Sequence, residues 1–286
     1  MLTVSQNQLT EIDISSPEYP AEWRELQAAP QKLYALGDIS LLKEKKFAVV
    51  GSRRTPQNAL KLGAEIAKTL SREWAIVTGT ADGGDSAAIE GALGGSGRVI
   101  CLLAGGFSAL PQCNLNLLEK VAKRGLILSP HPFETEVRAF SYEYRNKLLA
   151  KLCEGVLVLG AGEKSGALIT AKYAMQFKKP IFALPYPPNS SSGAGCNALI
   201  KKGGRLTENA LDVAEKFGLD LTEKKREVTL TPDEEKLYEA LKEGEAHASE
   251  LAQRTGLPVF KLRAILSSLE VKGLVVSLGG NRYAVV

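Results

Sequence analysis

Arg53 and Arg54 stand directly after a short apolar run, Phe47-Ala48-Val49-Val50, and a Gly51-Ser52 pair, with Thr55 next in the chain. Guanidinium groups placed there can hold phosphate oxygens through paired, charge-assisted hydrogen bonds. Neither the dinucleotide pattern G-x-G-x-x-G nor the P-loop pattern G-x-x-x-x-G-K-[ST] is present at this junction. Three further junctions repeat the arrangement of apolar run, glycine and helix start. They carry Thr78, Gly79, Thr80, Gly83, Gly84 and Asp85; then Gly105-Gly106; then Lys164-Ser165-Gly166. Glycines let a backbone approach a ligand closely, and free N–H groups in a first helical turn attract anions.

A third cationic cluster lies in "FSYEYRNKLLAKLCEG", where Arg145, Asn146, Lys147 and Lys151 are interleaved with Tyr142 and Tyr144. Rings beside cations can stack bases while the cations hold phosphates; the alternative is a helix with a solvated basic face. "SSSGAGCNALIKKGGRL" completes the series, with Asn197 at a helix start and Lys201-Lys202 on an exposed face.

Groups for bond breaking are sparse. The carboxylates near these junctions are Asp82, Asp85 and Glu163, and Ser165 has no adjacent base. His131 and His247 are far apart in sequence, and the carboxylate pair of a metal nuclease is not visible. Four scattered cysteines and two histidines give no zinc spacing. The expectation is a site that holds phosphates without catalysis, cofactor or metal.

The elements that must position these residues are short apolar runs alternating with helical patterns between residues 46 and 206. The expected strands are 47–50, 75–79, 98–103, 126–129, 155–160 and 180–185. Their continuous apolar character predicts a parallel sheet covered on both faces. The alternation predicts a doubly wound, mostly parallel α/β sheet with ligands at the carboxyl ends of its strands. Residues 1–45 form a lead-in expected to pack on this core without making a separate domain, and 46–221 form the Rossmann-like domain. Residues 222–230 are charged and weakly patterned, as a linker would be. Residues 231–286 begin with the capping signal Thr231-Pro232-Asp233-Glu234 and predict three helices and a hairpin turning at Gly279-Gly280-Asn281, the outline of a winged helix.

The chain of 286 residues carries a net charge of +4. Residues 231–286 hold seven Lys/Arg against eight Asp/Glu, so the positive excess belongs to the larger N-terminal part. The first residues lack a basic segment and an apolar core, and no run of about 18 apolar residues occurs. The expectation is a cytoplasmic protein.

Taken in order, "VVGSRRT" (49–55), "VTGTADGGDSAA" (77–88), "RVICLLAGG" (98–106), "GLILSPHP" (125–132), "YRNK" (144–147), "KSGALITA" (164–171) and "GCNALIKKGG" (195–204) resemble the bacterial DNA-processing protein A family, also called Smf. The resemblance implies an extended Rossmann fold that binds single-stranded DNA at the strand ends. It also implies loading of the recombinase RecA onto DNA taken up in natural transformation, a homodimer, and a C-terminal winged helix. Within it Arg53, Arg145, Asn146, Lys164 and Thr170 keep the family's types. Gly84, Ile89, Phe107, Leu110, Gly160 and Tyr186 depart from them, which thins the polar lining of the pocket.

Two rival readings belong to other classes. One is an enzyme or sensor for a nucleotide derivative, since the architecture is similar to that of the cytokinin-activating phosphoribohydrolases. Their P-G-G-x-G-T-x-x-E motif would end in a catalytic glutamate, and Ala171 or a neighbour stands in its place. The other puts DNA on the winged helix, whose third helix offers only Lys261 and Arg263. Those residues suit a protein-interaction or regulatory module better.

Overall fold

The structure is a computed structural model that describes residues 2–221 and 230–285. The chain forms two compact units, residues 1–221 and 222–286. The expected linker lies, apart from Leu230, outside the described residues.

In the first unit the elements run β1 (Thr10–Asp13), α1 (Ala21–Arg24), β2 (Lys32–Gly37), β3 (Lys46–Val50), α2 (Gln57–Leu70), β4 (Ala75–Thr78), α3 (Gly84–Gly94), β5 (Val99–Leu102), α4 (Leu115–Arg124) and β6 (Leu126–Ser129). They continue with α5 (Ala139–Leu152), β7 (Val156–Val158), α6 (Ala167–Gln176), β8 (Ile181–Ala183), α7 (Ala194–Lys201), β9 (Arg205–Leu206) and α8 (Ala210–Phe217). The strands form one nine-stranded sheet in the order β1-β2-β6-β5-β4-β3-β7-β8-β9. Every pairing from β6 to β9 is parallel, and β1 and β2 run antiparallel at one edge.

All five residues of β3 are buried, because the sheet is covered on both sides. Phe47 and Val49 pack in a layer with α2, α3, α4 and α8. Ala48 and Val50 face the opposite layer, with α1, α5, α6 and α7. This double burial is the physical reason the central strands read as unbroken apolar runs. The chain moves outward from β3 through β4 and β5 to β6, then returns to β7 on the other side of β3. The order therefore reverses between β3 and β7, and the crevice at such a reversal is where open α/β sheets take ligands.

The lead-in does more than pack on the core. It contributes β1 and β2 to the sheet, and α1 places Trp23 fully buried with its Nε1 donating to the Leu148 carbonyl at 2.8 Å. Strands β1, β2 and β9 fall outside the six expected from sequence. In β2 only Leu33 and Ala35 are fully buried, in alternation, and both residues of β9 are exposed. Strands at or next to the sheet edges, as these are, carry no continuous apolar signal.

The second unit contains α9 (Pro232–Lys242), β10 (Ala246–His247), α10 (Ala248–Thr255), α11 (Val259–Val271), β11 (Val275–Gly279) and β12 (Arg282–Val285). Its three strands order as β10-β12-β11, and the three helices close over them as a winged helix. The capping box forms as the sequence predicts: Thr231 N–H donates to Glu234 Oε2 at 2.7 Å, and Glu234 N–H to Thr231 Oγ1 at 3.4 Å. The hairpin turns where Gly280 and Asn281 both take positive φ, the backbone a two-residue turn demands. No described helix is long and apolar enough to cross a membrane.

Candidate nucleic-acid interface

A crevice of about 930 Å³ opens at the carboxyl ends of β3 and β7. The β3 loop brings Gly51, Ser52, Arg53 and Arg54 to it; the β7 loop brings Lys164, Ser165 and Gly166. Arg53, Arg54 and Lys164 are exposed and supply positive charge at its mouth. Helix α5 forms one wall with Tyr142, Arg145 and Asn146, and Thr170 of α6 lies buried beneath the β7 loop. Gly79 and Asp85 close the floor.

The β3 loop is held by its own short hydrogen bonds. Ser52 Oγ accepts from Arg54 N–H at 3.1 Å, and Thr55 Oγ1 donates to the Ser52 carbonyl at 2.8 Å. Ser52 N–H donates to the Gly160 carbonyl at 2.8 Å, tying the two cationic loops together. Across the crevice, Asn146 Nδ2 donates to the Gly166 carbonyl at 3.3 Å and so fixes the start of α6.

Arg145 is 6% exposed, so α5 does not simply turn a solvated basic face to water. Its Nη1 donates to the Leu102 carbonyl at 3.0 Å, while its buried Nε finds no acceptor among the described residues. Asp85, equally buried, accepts from Ala81 N–H at 3.2 Å and Gly51 N–H at 3.4 Å. Burial pushes the Asp85 carboxyl up from the ordinary aspartate value, and the nearby Arg145 charge works against that rise. Burial likewise lowers Arg145, while Asp85 supports its charge. A buried guanidinium N–H without a partner costs free energy that an incoming anion would recover.

Several residues expected at the site have other work. Gly83 has φ +81 and packs against the Ser52 carbonyl and Arg53 backbone, where any Cβ would collide. Gly84 N–H donates to the Ser52 carbonyl at 3.2 Å, so this first N–H of α3 is engaged by protein. Gly105 lies beneath residues 135–137, against the Thr135 carbonyl and Val137. Thr55 is buried by its bond to Ser52. Asn197 brackets the Tyr186 backbone, accepting from its N–H at 3.1 Å and donating to its carbonyl at 2.9 Å. Lys147 is not among the residues of α5 that line the crevice, which are Tyr142, Arg145, Asn146 and Leu149. Asp85 organises two loops as an acceptor, which is not a phosphate ligand's role. In exchange, Ser191 and Ser192 line the crevice from the loop before α7. Only a serine-rich loop marked them in sequence.

Tyr186 Oη donates to the Leu159 carbonyl at 2.5 Å. A Cβ at Gly160 would strike Thr55 first, at its Oγ1 and 2.8 Å from its Cγ2, with the Tyr186 hydroxyl next at 2.9 Å.

Fold and crevice together define an extended Rossmann-like α/β protein whose strand ends are lined with cations, joined to a winged helix. Residues 10–218 match the family described as DNA recombination-mediator protein A, and residues 222–281 match the DprA winged helix domain. The chain belongs to the DNA recombination-mediator protein A family. It is 34% identical to the DNA processing protein DprA of Bacillus subtilis over 72% of this chain and 70% of that protein. Against the Streptococcus pneumoniae DprA structure the TM-score is 0.69, with 32% identity over 74% of this chain and 75% of that one. Against the Helicobacter pylori DprA structure, whose subject is a single-stranded DNA binding mode, it is 0.67, with 29% identity over 73% and 95%.

Proposed function

We propose that the crevice holds the phosphates of single-stranded DNA, and that the protein acts by binding that strand and not by cutting it. The observation that carries this reading is the convergence of Arg53, Arg54 and Lys164 on one crevice whose wall contains Arg145 with an unpartnered buried N–H. A nucleotide cofactor needs one or two phosphates gripped by small residues; a polynucleotide needs spaced cations along a groove. Asp85 is the acidic side chain of the crevice lining, and its oxygens are committed to backbone N–H groups. That arrangement favours positioning over proton transfer.

In the cell the bound strand is incoming DNA in natural transformation or recombination, and the protein passes it to RecA, working as a cytoplasmic homodimer. Membership of the recombination-mediator family supports this reading. Titration of matched single- and double-stranded oligonucleotides at two salt concentrations tests the binding step; equal affinity for both would overturn it. RecA filament assembly on the same single strand, with and without the protein, tests the hand-over. Release of free base from nucleoside monophosphates would instead favour an enzyme.

A further inference from the structure

Helix α11 presents an outer face that the DNA-binding reading leaves unused. Its inner face carries Leu262, Ile265, Leu266 and Leu269, all buried in the small core. At about 100° per residue, Phe260, Ala264, Ser267 and Val271 fall within an arc of roughly 60° on the opposite side. All four are exposed, Phe260 by 81% and Val271 by 90%. A helix packed by one face ordinarily turns charge to water along the other. This one presents large apolar side chains at the two ends of its stripe and small residues between them.

The flanks of the stripe do not suit a phosphate backbone. Lys261 Nζ lies 2.5 Å from Asp233 Oδ2, and Lys272 Nζ is 2.7 Å from both oxygens of Glu234. Arg263 remains, and Glu270 follows two turns later on the same flank. Among the described residues no ion pair engages either of them.

The spacing of the stripe, four-three-four, reads the same from either end. Such a surface is self-complementary under a two-fold axis, because residue i can meet residue j while j meets i. An axis passing midway between Ile265 and Leu266 would set two copies of α11 antiparallel. Each Phe260 then faces the second copy's Val271. Each Ala264 faces the second copy's Ser267, where small side chains allow close approach. A two-fold of this kind apposes each flank to its own copy. Arg263 then stands about 3 Å in height from the second copy's Glu270, by a rise of 1.5 Å per residue, and the contact occurs twice. On the other flank the two Lys261 side chains are about 13 Å apart in height by the same rise. A parallel two-fold would instead turn each Arg263 flank toward the second copy's Lys261 flank, cation against cation and about 3 Å apart in height.

We propose that the outer face of α11 is a homotypic docking surface, and that its occupant is the α11 of a second copy of this chain. The winged helix then serves to join copies of the protein, and the strand-end crevice remains the site for DNA.

A charge-swap series in the full chain, followed by sedimentation equilibrium, tests this. Arg263→Glu and Glu270→Arg should each weaken self-association about ten-fold, because each creates like-charge contacts twice per pair. The double variant should restore the parent's association, and Ala264→Arg should abolish it. All positions are exposed, and far-UV circular dichroism with thermal unfolding verifies that each variant folds. A chain already joined through another surface would show the same series at its next assembly step. Unchanged association in all variants, or losses that the double variant does not restore, would overturn the proposal. So would loss of DNA or partner-protein binding with self-association unchanged, which would give the face to a different occupant.

Discussion

Arg145 of α5 and Asp85 of α3 meet above Gly79, where an added Cβ would strike both Arg145 Nη1 and Asp85 Oδ2. Two oppositely charged side chains are thus folded into the floor and wall of a cationic crevice, with a residue lacking a side chain keeping the space open. Removing one partner of such a pair leaves the other charge buried and uncompensated. Arg145→Leu, which leaves Asp85 buried without its counter-charge, is expected to destabilise the first unit by roughly 3–5 kcal/mol, measured by urea unfolding followed at Trp23 and Trp74. The double variant Asp85→Asn/Arg145→Leu should lose less than the sum of the two single changes, because the residues share one interaction. Additive losses would show that they act independently.

Arg53 is exposed at the mouth of the crevice, so its removal should not disturb the fold. Arg53→Ala is expected to weaken single-stranded DNA binding for all sequences alike and to reduce the slope of log affinity against log salt by about 0.7, one phosphate's share for a single strand. Fluorescence anisotropy at several salt concentrations checks both effects. Unchanged affinity at every salt concentration would remove Arg53 from the interface.

Gly51 and Gly84 bring the β3 loop and the start of α3 into backbone contact, with a Cβ on Gly51 only 2.8 Å from the Gly84 Cα. Gly51→Ala should cost roughly 1–3 kcal/mol through overpacking and lower DNA affinity as well, because Arg53 and Arg54 ride on the displaced loop. Gly203→Ala is a control: it has open space but φ +95, and should affect stability without affecting binding.

The two units should respond oppositely to acid. Lys272 and hydrogen bonds from Thr231 and Ser268 lower Glu234 from its ordinary 4.5 to about 2. That contribution is complete above pH 4.5 and is lost as the pH falls toward 2. Asp85 is raised above its ordinary 3.8, so its contribution is complete below 3.8 and is lost as the pH rises through the native value. Below pH 4 the part of the far-UV circular dichroism that comes from the winged helix should decay before the tryptophan signal, which belongs to the first unit alone. Glu234→Gln should remove this acid sensitivity, and should cost roughly 1.5–3 kcal/mol at neutral pH as charged hydrogen bonds are lost.

Much of this protein is legible in local sequence. The six central strands show as continuous apolar runs because burial on both faces leaves no polar position to interrupt them. The capping box at Thr231 and the turn at Gly280-Asn281 depend on residues within three positions of one another. The cations at the ends of β3 and β7 are marked by the glycines beside them. All these features arise from short-range backbone preference or uniform burial, which the order of residues determines by itself.

Contacts between distant segments were decided by the tertiary structure. Whether a glycine faces a ligand or another backbone depends on what crosses it, as Ser52 crosses Gly83 and residues 135–137 cross Gly105. Arg145 could equally have been a solvated helix cation; the approach of Gly79 and Asp85, some sixty residues earlier in the chain, buries it. Gly160 leaves no room for a Cβ because Thr55 and the Tyr186 hydroxyl crowd it from distant parts of the chain. Residue types and local spacing determined the strands, the caps and the supply of charge. The packing of segments far apart in the chain decided which charges are buried, which glycines face protein, and which side chains share the crevice, because excluded volume and desolvation act only once those segments meet.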